Sequence, residues 1–228
     1  MRPESAGGKF RCEGTFEREL RARGFAAVAG VDEVGRGALF GPVVAAAVIL
    51  SPDHPVRGLN DSKLLDAPRR EELDAQIRER AVAWAVGAVD AATIDRINIY
   101  EASRQAMRLA VLGLRPAPDY LLIDAMRLDL PLPQRPLIKG DARCHAIAAA
   151  SIVAKVWRDA CMRRWEEAYP EYGLGAHKGY STPEHCRALA EFGPSPLHRL
   201  TFAPVRQHSR FRMHYNPQME LFETAATA

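Results

Sequence analysis

The sequence predicts an α/β fold built on a mixed sheet, and three observations lead to this prediction. Two apolar segments, residues 26–31 and 43–50, lie close enough along the chain to pair as antiparallel strands. Helical segments at 68–80 and 91–114 separate the later strands, which is typical of crossover connections. The length of 228 residues fits one large domain, or one domain with a small appendage.

The elements follow in order after a polar leader. A short helix begins near Thr15, a candidate N-cap, and ends at Gly24. The first strand ends at Asp32-Glu33, and the continuously apolar second strand is predicted to be buried. A polar loop, a charged helix, a strand, a helix, two short strands and a long helix follow (residues 59–64, 68–80, 81–89, 91–114, 120–123, 136–139 and 143–165). A further helix begins at Pro183 with Thr182 as its N-cap.

Composition and charge exclude several classes of protein. The net charge of +3 and pI of about 8.7 permit nucleic-acid binding. The charged N-terminus lacks the apolar core of a signal peptide, and no segment is apolar enough to span a membrane. The four cysteines include no C-x-x-C pair, so we expect no disulfide framework, no thiolate zinc site and a reducing cytoplasm.

The segment from Ala29 to Val44 contains the strongest candidate site. Asp32 and Glu33 end an apolar strand and are followed at once by Gly35-Arg36-Gly37. Because a buried carboxylate is costly without a partner, the acid pair favours a metal cation nearby. Glycine lets backbone approach a ligand closely. The alternative is a strand end with solvated acids and a glycine turn.

Two further acids stand at the ends of predicted elements. Asp124 ends a short buried strand, and Asp141 precedes the long helix, where it could instead serve as an N-cap. Four carboxylates with such placement suit Mg²⁺ or Mn²⁺, and two such ions can hydrolyse a phosphodiester. Ser151 and Lys155 lie on one polar stripe of the long helix, which must face either a site or solvent.

Eight ordered segments resemble the type 2 ribonucleases H, the ribonuclease HII family. They cover roughly residues 26–206 and read G-V-D-E-V-G-R-G, G-P-V-V-A-A-A-V, N-D-S-K, L-L-I-D, K-G-D, A-A-A-S-I-V-A-K-V-W-R-D, H-K-G-Y and H-R-L-T-F-A-P-V. The resemblance implies a ribonuclease H-like fold, with a five-stranded mixed sheet, flanking helices and a small helical C-terminal part. It also implies an endonuclease that cuts 5′ of ribonucleotides in RNA/DNA hybrids and in duplex DNA, leaving 3′-hydroxyl and 5′-phosphate ends.

The resemblance also assigns roles to individual residues. Catalysis and metal binding are assigned to the four carboxylates (Asp32, Glu33, Asp124 and Asp141). Contact with the ribonucleotide and its 2′-hydroxyl is assigned to the glycine-arginine turn, and stacking on the next sugar to Tyr180 (Gly35, Arg36, Gly37 and Tyr180). Phosphate contacts are assigned to four polar residues (Asn60, Lys63, Ser151 and Lys155). Without the resemblance, Tyr180 reads as a half-buried loop residue and Lys155 as a solvated helix lysine.

The ends of the chain lie outside these segments. We expect a leader with a short helix at 1–25, a monomeric catalytic domain at 26–206 and a basic, flexible tail at 207–228. The tail peptide Q-M-E-L-F resembles the Q-L-x-L-F peptide that docks bacterial replication enzymes on the sliding clamp, through Gln218, Leu221 and Phe222. A tail folded back on the domain is the alternative. The rival functions are another nuclease or recombinase of this fold superfamily and a catalytically silent nucleic-acid-binding module.

Overall fold

The computed structural model describes residues 12–209, which form a five-stranded mixed sheet with helices. The strands are β1 to β5, in the spatial order β3-β2-β1-β4-β5 (Val28–Val34, Val43–Ile49, Ala83–Val89, Tyr120–Asp124 and Gln134–Leu137). The helices are α1 to α8 (Thr15–Ala22, Ala67–Arg80, Ala91–Ile97, Ile99–Gly113, His145–Ala168, Leu174–His177, Pro183–Phe192 and Ala203–His208). β1 pairs antiparallel with β2 and parallel with β4, so the predicted mixed sheet is confirmed. No helix within residues 12–209 is long and apolar enough to cross a membrane.

The described chain divides into two compact units. The first contains the residues up to Arg36 together with Pro42–Cys161, and hence the whole sheet. The second contains Gly37–Gly41 and the residues from Met162 onward, which form the short C-terminal helices. α5 begins in the first unit and ends in the second.

Glycines in the sheet allow helices to lie directly on it. A Cβ atom on Gly30 of β1 would lie 2.0 Å from the carbonyl carbon of Ala146 in α5. A Cβ atom on Gly87 of β3 would lie 2.2 Å from the carbonyl oxygen of Ala106 in α4. The core beside α5 contains small residues of that helix with apolar residues of β2 and α2 (Val44, Ala46, Val48, Leu73, Ile77, Ala148, Ala149 and Ile152). The small side chains predicted for α5 therefore serve close helix–sheet packing.

Several predicted boundaries are wrong, and each has a physical reason. β1 continues to Val34, because Asp32 and Glu33 are paired with Ala46 and Ala45 of β2. The predicted helix 91–114 is two helices, because Asn98 adopts a φ of 70° and its side chain accepts the N–H groups of Tyr100 and Glu101.

Smaller boundary shifts occur elsewhere. β3 begins two residues later than predicted, β5 lies two residues earlier, and α5 spans His145–Ala168. Gly14, not Thr15, is the N-cap of α1. The N-cap predicted at Thr182 is confirmed, since its hydroxyl oxygen accepts the N–H of His185.

Candidate active site

The central strands place two of the four candidate carboxylates at one edge of the sheet. β1 and β4 are parallel, and Val31 is level with Ile123, so Asp32 and Asp124 follow at corresponding positions. Asp32 is 5% exposed and shares a face of the sheet with its partner Ala46. Glu33, the next residue, leaves the strand on the opposite face, yet its carboxylate lies close enough to Asp32 for its charge to raise the pKa of Asp32. Only one of the adjacent acids therefore faces the core beside α5.

A hydrogen-bonded turn connects Asp124 with Asp141. The N–H of Gly140 donates to Oδ1 of Asp124 over 2.7 Å. Asp141 follows in a 3-10 turn, Gly140–Ala142, where its Oδ1 accepts the N–H of Ala142 over 2.9 Å. The alternative in which Asp141 caps the long helix is wrong, because α5 begins only at His145.

The four carboxylates repel one another. Burial raises the pKa of Asp32 well above its usual value, and the charges of Glu33 and Asp124 raise it further. Burial also raises the pKa values of Glu33, Asp124 and Asp141; Asp124 adds to the rise at Glu33, and Asp141 to that at Asp124. A cation placed among them would offset this repulsion and lower the pKa values of the carboxyl groups, since an opposite charge favours the ionised form.

The donor set fits a hard divalent cation that keeps part of its water. Oε2 of Glu33 is buried and has no hydrogen-bond partner among the described residues. Within residues 12–209, no three His, Cys, Asp or Glu side chains converge closely enough to enclose an ion on their own. Mg²⁺ usually takes one or two carboxylates and completes its shell with water and substrate phosphate. The buried carboxylate oxygen of Glu33 without a hydrogen-bond partner therefore suits an open site of this kind.

The loop before α2 reaches the carboxylates through Lys63. Its Nζ lies 3.7 Å from Oδ2 of Asp141. Burial lowers the pKa of Lys63, but Asp61, Asp141 and Asp32 outweigh this and raise it overall. Asn60 accepts the N–H of Asp61 and so supports the turn leading to Lys63. The side chain of Lys63 is 78% exposed, which leaves its ammonium accessible to a phosphate.

α5 contributes two of the predicted polar residues. The hydroxyl oxygens of Ser151 and Ser62 lie 2.9 Å apart, and a hydrogen bond from Ser151 lowers the pKa of Asp32. One turn later, Nζ of Lys155 donates to Oδ1 of Asp159 over 2.7 Å, and the Lys155 side chain is only 18% exposed. Lys155 is therefore a paired, mostly buried lysine, and the alternative of a solvated helix lysine is wrong.

The glycines around Arg36 differ from each other. Gly35 is buried at a φ of 87°, and a Cβ atom there would lie 2.2 Å from Nε of the buried Arg158. Gly37 is exposed, has no positive φ, and a Cβ atom there would meet no described atom within 4 Å. The fold thus explains Gly35 but not Gly37. Arg36 is exposed, with a guanidinium nitrogen 3.4 Å from Oε1 of Glu33.

Tyr180 lies in the second unit. It is half-buried, and its backbone forms a bridge with Ala38, the residue after Gly37. Its N–H donates to the carbonyl of His177 over 3.0 Å. The candidate clamp-binding residues Gln218, Leu221 and Phe222 lie outside the described residues. All four cysteines are free.

Glu17 is a supporting residue whose role the sequence did not reveal. It lies in the first turn of α1, is 4% exposed, and its side chain caps a different helix. Its Oε1 accepts the N–H of Ala146 over 2.7 Å and contacts Sγ of Cys144 at 3.2 Å. It therefore fixes the start of α5, where that helix lies on Gly30. Its position three residues before Leu20, on the apolar face of α1, was the available signal.

Known proteins resemble this chain in sequence and in fold. A sequence model described as Ribonuclease HII matches residues 29–205. The ribonuclease HII of Solibacter usitatus is 69% identical over 228 residues, covering 100% of both chains. The crystal structure of ribonuclease H2 from Pyrococcus horikoshii OT3 matches with a TM-score of 0.72 and 28% identity, over 82% of this chain and 100% of that one. Ribonuclease HII of Archaeoglobus fulgidus, solved in complex with PCNA, matches with a TM-score of 0.66 and 28% identity, over 78% of this chain and 95% of that one.

Proposed function

Because the chain belongs to the ribonuclease HII family, and is thus a hydrolase and endoribonuclease of the ribonuclease H type, we propose a specific reaction for it. The enzyme hydrolyses the phosphodiester on the 5′ side of ribonucleotides, both in RNA/DNA hybrids and in duplex DNA with embedded ribonucleotides. It leaves 3′-hydroxyl and 5′-phosphate ends. The observation that carries this proposal is the cluster of four mutually repelling carboxylates at the edge of the sheet.

The carboxylates Asp32, Glu33, Asp124 and Asp141 would hold two Mg²⁺ or Mn²⁺ ions. Such ions supply an activated water and stabilise the leaving oxygen of a phosphodiester. The protein orients the ligands: Ser151 hydrogen-bonds Asp32, and the N–H of Gly140 holds Asp124. Lys63, beside Asp141, brings a positive charge to the substrate phosphate.

Selection of a ribonucleotide is assigned to the Gly35-Arg36-Gly37 turn and to Tyr180. The 2′-hydroxyl both donates and accepts hydrogen bonds, and it is the local difference between RNA and DNA. The exposed backbone at Gly37 can approach that hydroxyl, because no side chain stands there and the fold does not require glycine. The ring of Tyr180 offers a flat surface for the neighbouring deoxyribose. Asn60 and Lys155 would contribute to phosphate contacts.

One experiment tests the reaction and both rival functions. A duplex with a single ribonucleotide and its all-DNA twin are incubated with Mg²⁺ or Mn²⁺, and with a chelator. Only the first duplex should be cut, 5′ of the ribonucleotide, and the chelator should abolish cleavage. Asp124→Asn should remove most turnover, whereas the matched control Asp129→Asn, an exposed acid outside the site, should not. Cutting of the all-DNA twin would indicate another nuclease, and binding without cleavage a silent module.

The tail suggests a partner. We also propose that Gln218, Leu221 and Phe222 dock the enzyme on the replication sliding clamp, as the complex of the Archaeoglobus fulgidus relative with PCNA supports. Docking would raise the local concentration of a repair enzyme on newly made DNA in the cytoplasm. The fold-back of the tail remains the alternative.

A further inference from the structure

Two buried histidines in the second unit form a hydrogen-bonded pair. His185 and His198 are 0% and 1% exposed, and their Nε2 atoms lie 3.0 Å apart. The backbone N–H of Ser195 donates to Nδ1 of His198 over 2.9 Å. Nδ1 of His198 must therefore present a lone pair. Burial lowers the pKa of His198 to about 3, so the ring is neutral and its one proton is on Nε2.

The proton on His198 fixes the state of His185. Because Nε2 of His198 donates, Nε2 of His185 accepts, and the single proton of His185 lies on Nδ1. That atom is 3.0 Å from the carbonyl oxygen of Tyr180. Burial lowers the pKa of His185 to about 4, which keeps this ring neutral as well. The chain of donors thus runs in one direction, from Ser195 through both imidazoles to Tyr180.

The backbone of Tyr180 is held from several sides. Its carbonyl also accepts the N–H of Thr182 over 2.9 Å, and its N–H donates to His177. The ring of His177 stacks on His185 with centroids 4.5 Å apart and an angle of 14°. A buried imidazole pair that ends on this carbonyl fixes the peptide from which the Tyr180 ring projects.

We propose that His185 and His198 are positioning residues for Tyr180, acting through this directed chain of hydrogen bonds. The inference rests on the role proposed above for Tyr180. It differs from a packing role in what it requires of the side chains. A packing role needs the shape and volume of an imidazole, whereas positioning needs a donor at one ring position and an acceptor at the other.

Amide substitutions separate these requirements at each histidine. Asparagine places its amide near the position of Nδ1, and glutamine near that of Nε2. At residue 185, His185→Asn keeps the donor to Tyr180, and His185→Gln loses it. At residue 198, His198→Gln keeps the donor to His185, and His198→Asn loses it. We therefore expect His185→Asn to have a smaller effect than His185→Gln, and His198→Gln a smaller effect than His198→Asn.

Amide hydrogen exchange at Tyr180 and Thr182 tests positioning without substrate. We expect exchange to be about fivefold faster in His185→Gln than in His185→Asn, the scale of one lost hydrogen bond, with the order of amides reversed at residue 198. Cleavage of the single-ribonucleotide duplex should fall in the same order, while binding of the all-DNA twin stays unchanged. If one pair of variants does not fold, the other pair gives the same comparison.

Two results would overturn the inference. Equal exchange for both amides at each histidine would reduce the pair to packing. If amide exchange is faster in His185→Gln than in His185→Asn but the two variants cleave equally well, then His185 and His198 do not contribute to substrate recognition. If the wild-type enzyme fails to cut the ribonucleotide duplex, the proposed function fails, but the exchange measurement still decides whether the histidines hold Tyr180.

Discussion

Replacing Gly35 and Gly37 separately with alanine should separate a structural glycine from a functional one. The two flank Arg36 in the same turn, and both changes add one methyl group. Gly35 has a left-handed backbone and lies against Arg158, whose Nε donates to the carbonyl of Pro42 over 3.2 Å. Gly37 has ordinary backbone and open space around it among the described residues.

The magnitudes follow from these contacts. Alanine at the φ of 87° of Gly35 costs about 1–2 kcal/mol in backbone strain. Displacing the guanidinium of Arg158 from its hydrogen bond costs about 1.5–3 kcal/mol more. Gly35→Ala should therefore lower the free energy of unfolding by roughly 2.5–5 kcal/mol and Tm by on the order of 10 °C. Gly37→Ala should change the stability by about 0.5 kcal/mol or less.

Thermal unfolding and cleavage of the single-ribonucleotide duplex should give opposite orders for the two variants. Gly37→Ala should keep its Tm but lose most cleavage, because its methyl group occupies the space proposed for the ribonucleotide. For Gly35→Ala, the main effect should be a lower Tm. A Gly37→Ala enzyme with wild-type cleavage would refute the role given to that backbone, and a Gly35→Ala enzyme of unchanged Tm would refute the strain calculation.

Three further predictions concern Tyr180, the buried histidines and the tail. Tyr180→Ala should reduce cleavage at the RNA–DNA junction more than duplex affinity, which comes mainly from phosphate contacts; equal losses would make Tyr180 structural. Lowering the pH from 7 to 5 should reduce the free energy of unfolding by about 2 kcal/mol for each of His185 and His198, because burial lowers their pKa values to about 4 and about 3 and only the unfolded chain takes up protons below pH 6.5. Urea unfolding of a His185→Asn, His198→Gln double variant should lack this loss, and an unchanged pH dependence would refute it. Deleting residues 217–228 should abolish clamp binding while Tm and cleavage of a short duplex stay unchanged; a lower Tm, with no clamp binding by the intact protein, would favour the fold-back.

Local patterns were enough to predict the mixed sheet and to single out four carboxylates at the ends of its elements, whereas the roles given to the site residues came from the family resemblance and stay predictions. Two close apolar segments predicted the antiparallel pair β1–β2, and the apolar run before Asp124 predicted β4. Periodicity could not show the break at Asn98, because the apolar positions on both sides keep helical spacing while the backbone turns left-handed at one residue. Asparagine tolerates that conformation, and its side chain caps the next helix.

Contacts between residues far apart in the chain were beyond the reach of such patterns. Glu17 and Ala146 are separated by 129 positions, and no local sequence pattern near either residue indicates the hydrogen bond between them. The pairing of His185 with His198 likewise depends on how the segment after α7 folds back on that helix. Lys155 and Asp159 are different, since their i, i+4 spacing places them on one face of a helix, and the structure shows them paired.

The strand order also determines when the enzyme can first become active during its synthesis. β1, β2 and β3 are consecutive and antiparallel, so they can pair once residues 28–89 are available. β4 joins β1 only after the α3–α4 crossover, and Asp141 emerges later still. Contacts over such separations form late, because loop closure must precede them. A nascent chain therefore carries Asp32 and Glu33 on β1 before Asp124 and Asp141, the other two carboxylates of the candidate site, have been synthesised.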